Sequence, residues 1–64
     1  MYAVFDKYLH ERGVTAYAVS KATGIPNSTF SDWKSGRSAP KVDKLIKIAN
    51  YFEVPLEEFI EGGE

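Results

Sequence analysis

The chain has no cysteine among its 64 residues, and histidine and tryptophan occur once each. The first absence excludes disulfides and thiolate metal sites and suits a reducing compartment. His10 has no second histidine, no cysteine and no catalytic serine arrangement near it, so it reads as a surface residue. There is no paired general acid and base, no nucleophile with its base, no glycine-rich phosphate loop and no metal-ligand spacing. An enzyme, a cofactor and a small-molecule substrate are therefore not expected. No apolar run approaches the roughly 20 residues of a membrane span, and the N-terminus lacks a basic-then-apolar signal. The expectation is a soluble, cytoplasmic protein with no membrane partner.

Also missing is any strong net charge. At -1 overall, the chain lacks the excess of positive charge that neutralises phosphates in most nucleic-acid binders. Its charge is nevertheless sorted along the sequence. Residues 1–26 set Lys7, Arg12 and Lys21 against Asp6 and Glu11, for +1; residues 27–47 set Lys34, Arg37, Lys41, Lys44 and Lys47 against Asp32 and Asp43, for +3. Residues 48–64 hold Glu53, Glu57, Glu58, Glu61 and Glu64 and no base, for -5. A basic middle and an acidic end imply two faces.

Sixty-four residues make one domain, 1–64, near the lower limit of what folds without a staple. No strand pattern, repeat or low-complexity tract is visible, and helical spacing recurs throughout. Tyr2, Phe5, Tyr8, Leu9 and Arg12 define an amphipathic first helix over 2–12, closed by Gly13, with its aromatics in the core. Thr15 is an N-cap for a second helix over 16–23, with Val19 and Ala22 on its apolar face. Gly24 stops it, and Ile25 anchors the turn. The third helix spans 27–35, with Pro26 tolerated at its start and Phe30 and Trp33 forming the buried stripe; Gly36 ends it. Pro40 opens a fourth helix over 41–52, on which Val42, Leu45, Ile48, Ala49 and Phe52 face the core and Asp43 suits the first turn. Val54-Pro55 breaks the chain before a short fifth helix over 56–61, carrying Leu56, Phe59 and Ile60. Gly62-Gly63-Glu64 reads as a frayed tail or a cut linker.

The spacing of Gly13-Val14-Thr15, Gly24-Ile25, Ser28-Thr29-Phe30-Ser31, Gly36, Pro40, Leu45, Ile48-Ala49, Phe52, Val54 and Phe59 resembles the Cro/C1-type helix-turn-helix regulators, the lambda-repressor-like or XRE-family domains. The resemblance covers nearly the whole chain. It implies an all-α, compact five-helix bundle in which the second helix of the motif enters the major groove of double-stranded DNA and the first crosses the backbone. By position in the family motif, Asn27, Ser28, Thr29, Ser31 and Asp32 are the base-reading candidates. Asn27 could bind adenine at N6 and N7, and the Thr29 methyl could meet a thymine methyl. A carboxylate at Asp32 is repelled by phosphates unless it accepts from a cytosine amino group or pairs with a basic neighbour, so it excludes sequences more than it favours them. Phosphate contacts are expected from the free N–H groups of Ala16 and Tyr17 at the start of the second helix. Arg37, Ser38 and Lys41 match the family's phosphate-binding loop, with Lys44 a lesser member and Lys34 adding to the positive face.

The chain departs from the family pattern at three places. Ala16 stands where glutamine is usual, and Leu9 and Lys34 stand where the family often pairs arginine with glutamate. Losing both partners of such a pair can be nearly neutral, and the expectation is that Leu9 packs against the stem of Lys34 and Trp33. Pro26 stands where a capping serine is usual, which leaves Asn27 or Ser28 to cap.

The function that follows is a sequence-specific DNA-binding transcriptional regulator, a repressor of phage or bacterial type, on a palindromic operator. A weak homodimer is expected, with Tyr51, Phe59 and Ile60 either supplying its apolar surface or closing the core. The alternative is a protein–protein interaction module on the same fold, using the acidic C-terminal end or the aromatics.

Overall fold

The computed structural model describes residues 2–60 of the chain. Its elements are α1 (Tyr2–Arg12), α2 (Ala16–Thr23), α3 (Asn27–Ser35), α4 (Val42–Phe52) and a 3₁₀ turn, η1 (Leu56–Phe59). The fold is all-α among the described residues.

Each α-helix is closed by a residue in the left-handed region: Gly13, Gly24, Gly36 and Glu53, with φ of 66, 81, 83 and 60°. Three of the closures share one hydrogen-bond pattern, in which the two amides after the helix turn back onto its last carbonyls. In α1 these are Gly13 N–H to His10 (3.3 Å) and Val14 N–H to Leu9 (3.0 Å); in α3, Gly36 N–H to Trp33 (3.2 Å) and Arg37 N–H to Asp32 (2.9 Å). In α4, Glu53 N–H bonds Asn50 (3.2 Å) and Val54 N–H bonds Ala49 (3.0 Å). The sequence shows the first three stops as glycines. The fourth is hidden, because Glu53 takes a conformation that L-residues with a Cβ seldom adopt.

The core collects Phe5, Leu9, Val19, Ile25, Phe30, Trp33, Ile48, Ala49, Phe52 and Phe59. Phe5, wholly buried, is its centre. The ring stacks on Phe30 at 4.9 Å between centroids and lies 5.3 Å from Trp33 and 6.0 Å from Phe52. Aromatic pairs at such distances contribute about 0.5–1.5 kcal/mol each beyond the burial of their area. The α1 stripe thus holds α3 and α4 together. Arg12, at its end, is an exposed residue, yet its Nη2 donates to the carbonyl of Phe52 at 2.7 Å and its guanidinium lies over the Phe52 ring. A cation therefore sits at the negative end of the α4 dipole.

Four expectations are corrected. The fifth helix is one 3₁₀ turn, because only four residues separate Pro55 from Ile60, whose backbone is already extended. Its bonds are the short i to i+3 kind, Glu58 N–H to Pro55 (3.1 Å) and Ile60 N–H to Glu57 (3.3 Å). Residue 61 and the expected tail at 62–64 lie outside the described residues, as does residue 1. The fourth helix starts at Val42 with Lys41 as its cap residue, and the buried Pro40 sits before it. Val42 is 54% exposed, since it lies one turn ahead of the layer that Leu45, Ile48, Ala49 and Phe52 pack into. Ala22 is exposed as well, leaving Val19 as the buried residue of α2.

Candidate nucleic-acid interface

The turn between α2 and α3 is fixed by short-range bonds from small side chains. Ser20 Oγ donates to the carbonyl of Ile25 at 2.5 Å, and Thr23 Oγ1 donates to Val19 at 2.7 Å while accepting from Ile25 N–H at 3.3 Å. Ile25 itself is buried. Hydroxyls that compete with the helix ladder at its last turn favour this kind of exit, and Gly24 N–H returns to Ser20 at 2.9 Å. The geometry of the pair is therefore set locally, by Ser20, Thr23, Gly24 and Ile25.

At the start of α2, Thr15 Oγ1 accepts from Ala18 N–H at 3.1 Å, and Val19 N–H makes the first return bond, to Thr15 (3.1 Å). The amides of Ala16 and Tyr17 precede any such bond and face outward from the helix end. The start of α3 has no side-chain cap. The expectation that Asn27 or Ser28 would cap it is thus corrected: both lie inside the first turn, past the cap position held by Pro26, and their side chains stay available to a partner.

Phe30 and Trp33 face the core, so the remaining residues of α3 divide between two shallow recesses and an outer edge. One recess, about 260 Å³, lies against α2 and is lined by Tyr2, Ala16, Tyr17, Asn27, Phe30, Ser31 and Lys34. It gathers two base-reading candidates, Asn27 and Ser31, with three phosphate candidates. The other, about 280 Å³, lies against the loop and α4 and includes Thr29, Asp32, Ser38, Lys41, Asp43 and Lys44. Ser28 joins neither: helical spacing puts it opposite Phe30 and Trp33, on the outer edge. Arg37 also lines neither, and its Nε lies 3.8 Å from Asp32 Oδ1.

Two features were not foreseen. Tyr17 is 62% exposed, and Lys21 Nζ lies 5.6 Å from its ring centroid, which brings an aromatic and a cation to the α2 side of the groove; their i, i+4 spacing was the available signal. Asp43, expected only to suit the α4 dipole, stands in the second recess beside Lys41 and Lys44. Burial, with the Asp6 charge adding to it, pushes the Tyr2 phenol above its ordinary value of 10.0. Leu9 and Lys34 both line one recess with Tyr2, Val14 and Ala16, and Leu9 shares the core cluster with Trp33. Among the described residues no group of three or more His, Cys, Asp or Glu is placed to hold a metal. No helix there is long and apolar enough to cross a membrane.

Two short helices joined at a left-handed glycine, the second carrying an outward row of small polar residues flanked by bases, define a helix-turn-helix protein. Residues 7–59 match the helix-turn-helix family model of the Cro/C1 type, and the chain belongs to that family. It is also similar to the cryptic phage CTXphi transcriptional repressor RstR of Vibrio cholerae, with 26% identity over 54 residues, 84% of this chain and 49% of the relative. The chain thus spans about half the length of that curated relative. No solved structure matches it significantly.

Proposed function

We propose that this chain is a sequence-specific DNA-binding transcription regulator of the repressor type, acting in the cytoplasm and placing α3 in the major groove of a palindromic operator. Family membership and the similarity to a phage transcriptional repressor both support it. The observation that carries it is the division of α3, whose outer edge is flanked by two recesses, one holding Lys34 of α3 beside Ala16 and Tyr17 of α2, the other holding Ser38 and Lys41 of the loop and Lys44 of α4. On this reading Asn27, Ser28, Thr29, Ser31 and Asp32 meet base edges. Ala16, Tyr17 and Lys34 meet phosphates on one flank and Arg37, Ser38, Lys41 and Lys44 on the other. The -1 net charge is no obstacle, because the acidic segment lies at the end of the chain.

Dimerisation, which a palindrome requires, would draw on Ile60 from the expected residues, joined by Val42 and Ile46. Phe59 is buried and closes the core, while Ile60, Val42 and Ile46 are 43, 54 and 43% exposed. Ile60 and Val42 border an apolar groove of about 380 Å³ with Trp33, Ala39, Pro40, Leu45 and Phe59. The same groove is what favours the second reading, a protein-binding module with little direct DNA contact.

Selection from a random-sequence duplex pool, followed by titration of the winner against salt, separates the two. The repressor reading expects an enriched palindrome with half-sites about 34 Å apart and a steep fall of affinity with salt. Asn27→Ala should then weaken the selected duplex by about 1–3 kcal/mol and relax preference at one position. If no sequence is enriched and nothing binds at low salt, the chain is not a direct DNA reader.

A further inference from the structure

Among the described residues, one ion pair joins α3 to the loop behind it, that of Arg37 with Asp32 at 3.8 Å. The backbone around it is pinned. The Asp32 carbonyl accepts from Arg37 N–H (2.9 Å), Ser38 N–H (3.3 Å) and Ser35 Oγ (3.0 Å). Residue 37 therefore cannot move away from residue 32 as a unit, and only its side chain can swing. That side chain is 77% exposed and the Asp32 carboxylate 41%, so the guanidinium has two destinations: the carboxylate or a DNA phosphate. Lys41 and Lys44 share the Asp32 recess, but neither forms an ion pair with it among the described residues.

We propose that Asp32 is a conditional tether on Arg37, withholding one positive charge from the DNA backbone until a cytosine amino group occupies the carboxylate. This rests on the reading of α3 as the groove helix. The choice of cytosine follows from the major-groove edges. Guanine and thymine present acceptors there, which repel a carboxylate, and adenine sets an acceptor, N7, beside its amino group. Cytosine presents a donor with no ring-nitrogen acceptor beside it. On a duplex with cytosine in reach, the carboxylate exchanges the guanidinium for the N4 amino group, and Arg37 turns to a phosphate. On any other duplex the pair stays closed. A base identity and a backbone contact are thereby gained or lost together, which sharpens discrimination beyond either alone.

The test compares wild type, Asp32→Ala, Arg37→Gln and the double variant, each checked for an unchanged circular dichroism spectrum. Each is put through the duplex selection and titrated against salt on the selected and a scrambled duplex. Wild type is expected to prefer cytosine at one position of each half-site. Asp32→Ala should lose that preference and bind the scrambled duplex about two- to five-fold tighter, the range an exposed ion pair can withhold. Its salt slope on that duplex should steepen by about 0.9 per subunit, one more phosphate neutralised. In the Arg37→Gln background the same substitution should leave the slope unchanged. Persistence of the cytosine preference in Asp32→Ala, or an equal gain with and without Arg37, overturns the tether while leaving the DNA reading in place. Absence of binding by all four proteins overturns both.

Discussion

Glu53 closes α4 at φ 60° and ψ 44°, and two costs fall on it together. An L-residue in the left-handed region brings its Cβ against the following carbonyl, at about 1–2 kcal/mol. Its carboxylate also lies at the negative end of the α4 dipole, which costs about 0.3–1 kcal/mol at low salt. Glu53 makes no side-chain hydrogen bond or ion pair of its own among the described residues, although the Arg12 guanidinium on the Phe52 carbonyl brings a cation to the same helix end. Replacing Glu53 with glycine removes both costs, against about 0.4–1 kcal/mol lost to the greater freedom of glycine in the unfolded chain. The net expectation for Glu53→Gly is about 1 kcal/mol of added stability, or 4–8 °C in Tm for a domain of this size. Glu53→Gln isolates the charge: it should gain about 0.3 kcal/mol in dilute buffer and almost nothing at 1 M salt, where screening is nearly complete. Thermal melts of the three proteins at both salt concentrations decide the matter. If Glu53→Gly melts no higher than Glu53→Gln at high salt, the strain at residue 53 does not exceed the about 0.4–1 kcal/mol that glycine loses to the unfolded chain, and the argument is wrong.

Arg12→Met keeps an apolar stem but loses the charge-assisted bond to Phe52 and the cation at the α4 terminus; we expect a loss of about 1–2 kcal/mol, read by urea denaturation. Leu9→Arg puts a cation in the recess that Lys34 lines and should cost about 2–3 kcal/mol, of which adding Lys34→Glu should recover about 1 kcal/mol. A single variant that melts at or above wild type would deny that packing. Tyr8 donates to Glu58 Oε1 at 3.0 Å, and burial, then that bond and the Glu58 charge, raise its phenol above the ordinary 10.0. A raised folded-state value means that the neutral form is favoured by folding, so the contribution is complete below pH about 10 and lost as pH rises through the shifted value. The alkaline fall in Tm should therefore be shallower in Tyr8→Phe, and an unchanged fall would assign it to other groups.

How much of this was legible depended on whether a residue advertises its conformation. Gly13, Gly24 and Gly36 name their own backbone, so the limits of α2 and α3 followed from composition, and Phe30 and Trp33 followed from spacing. Glu53 carries no such mark, so the end of α4 at Phe52 was legible only from Val54-Pro55 beyond it. Periodicity predicts which residues share a helix face but not where the neighbouring layer ends, which is why Val42 and Ala22 were expected inside. At the interface, the motif supplied the candidates, whereas their division into two recesses depended on which elements lie beside α3. The contact of Arg37 with Asp32 was open as a pairing with some basic neighbour, and only the turn after Gly36 shows which one.

Of the nine residues in α3, Phe30 and Trp33 alone are buried, and Gly24 and Gly36, just outside it, stop α2 and α3 themselves. The helix behaves as an exchangeable cassette. Its outer positions can be rewritten by mutation without drawing on the stability of the bundle, so, on the proposed reading, a lineage can change the operator it answers to while leaving the scaffold untouched. Selection for a new target and selection for folding then act on separate sets of residues, and few substitutions need compensation elsewhere.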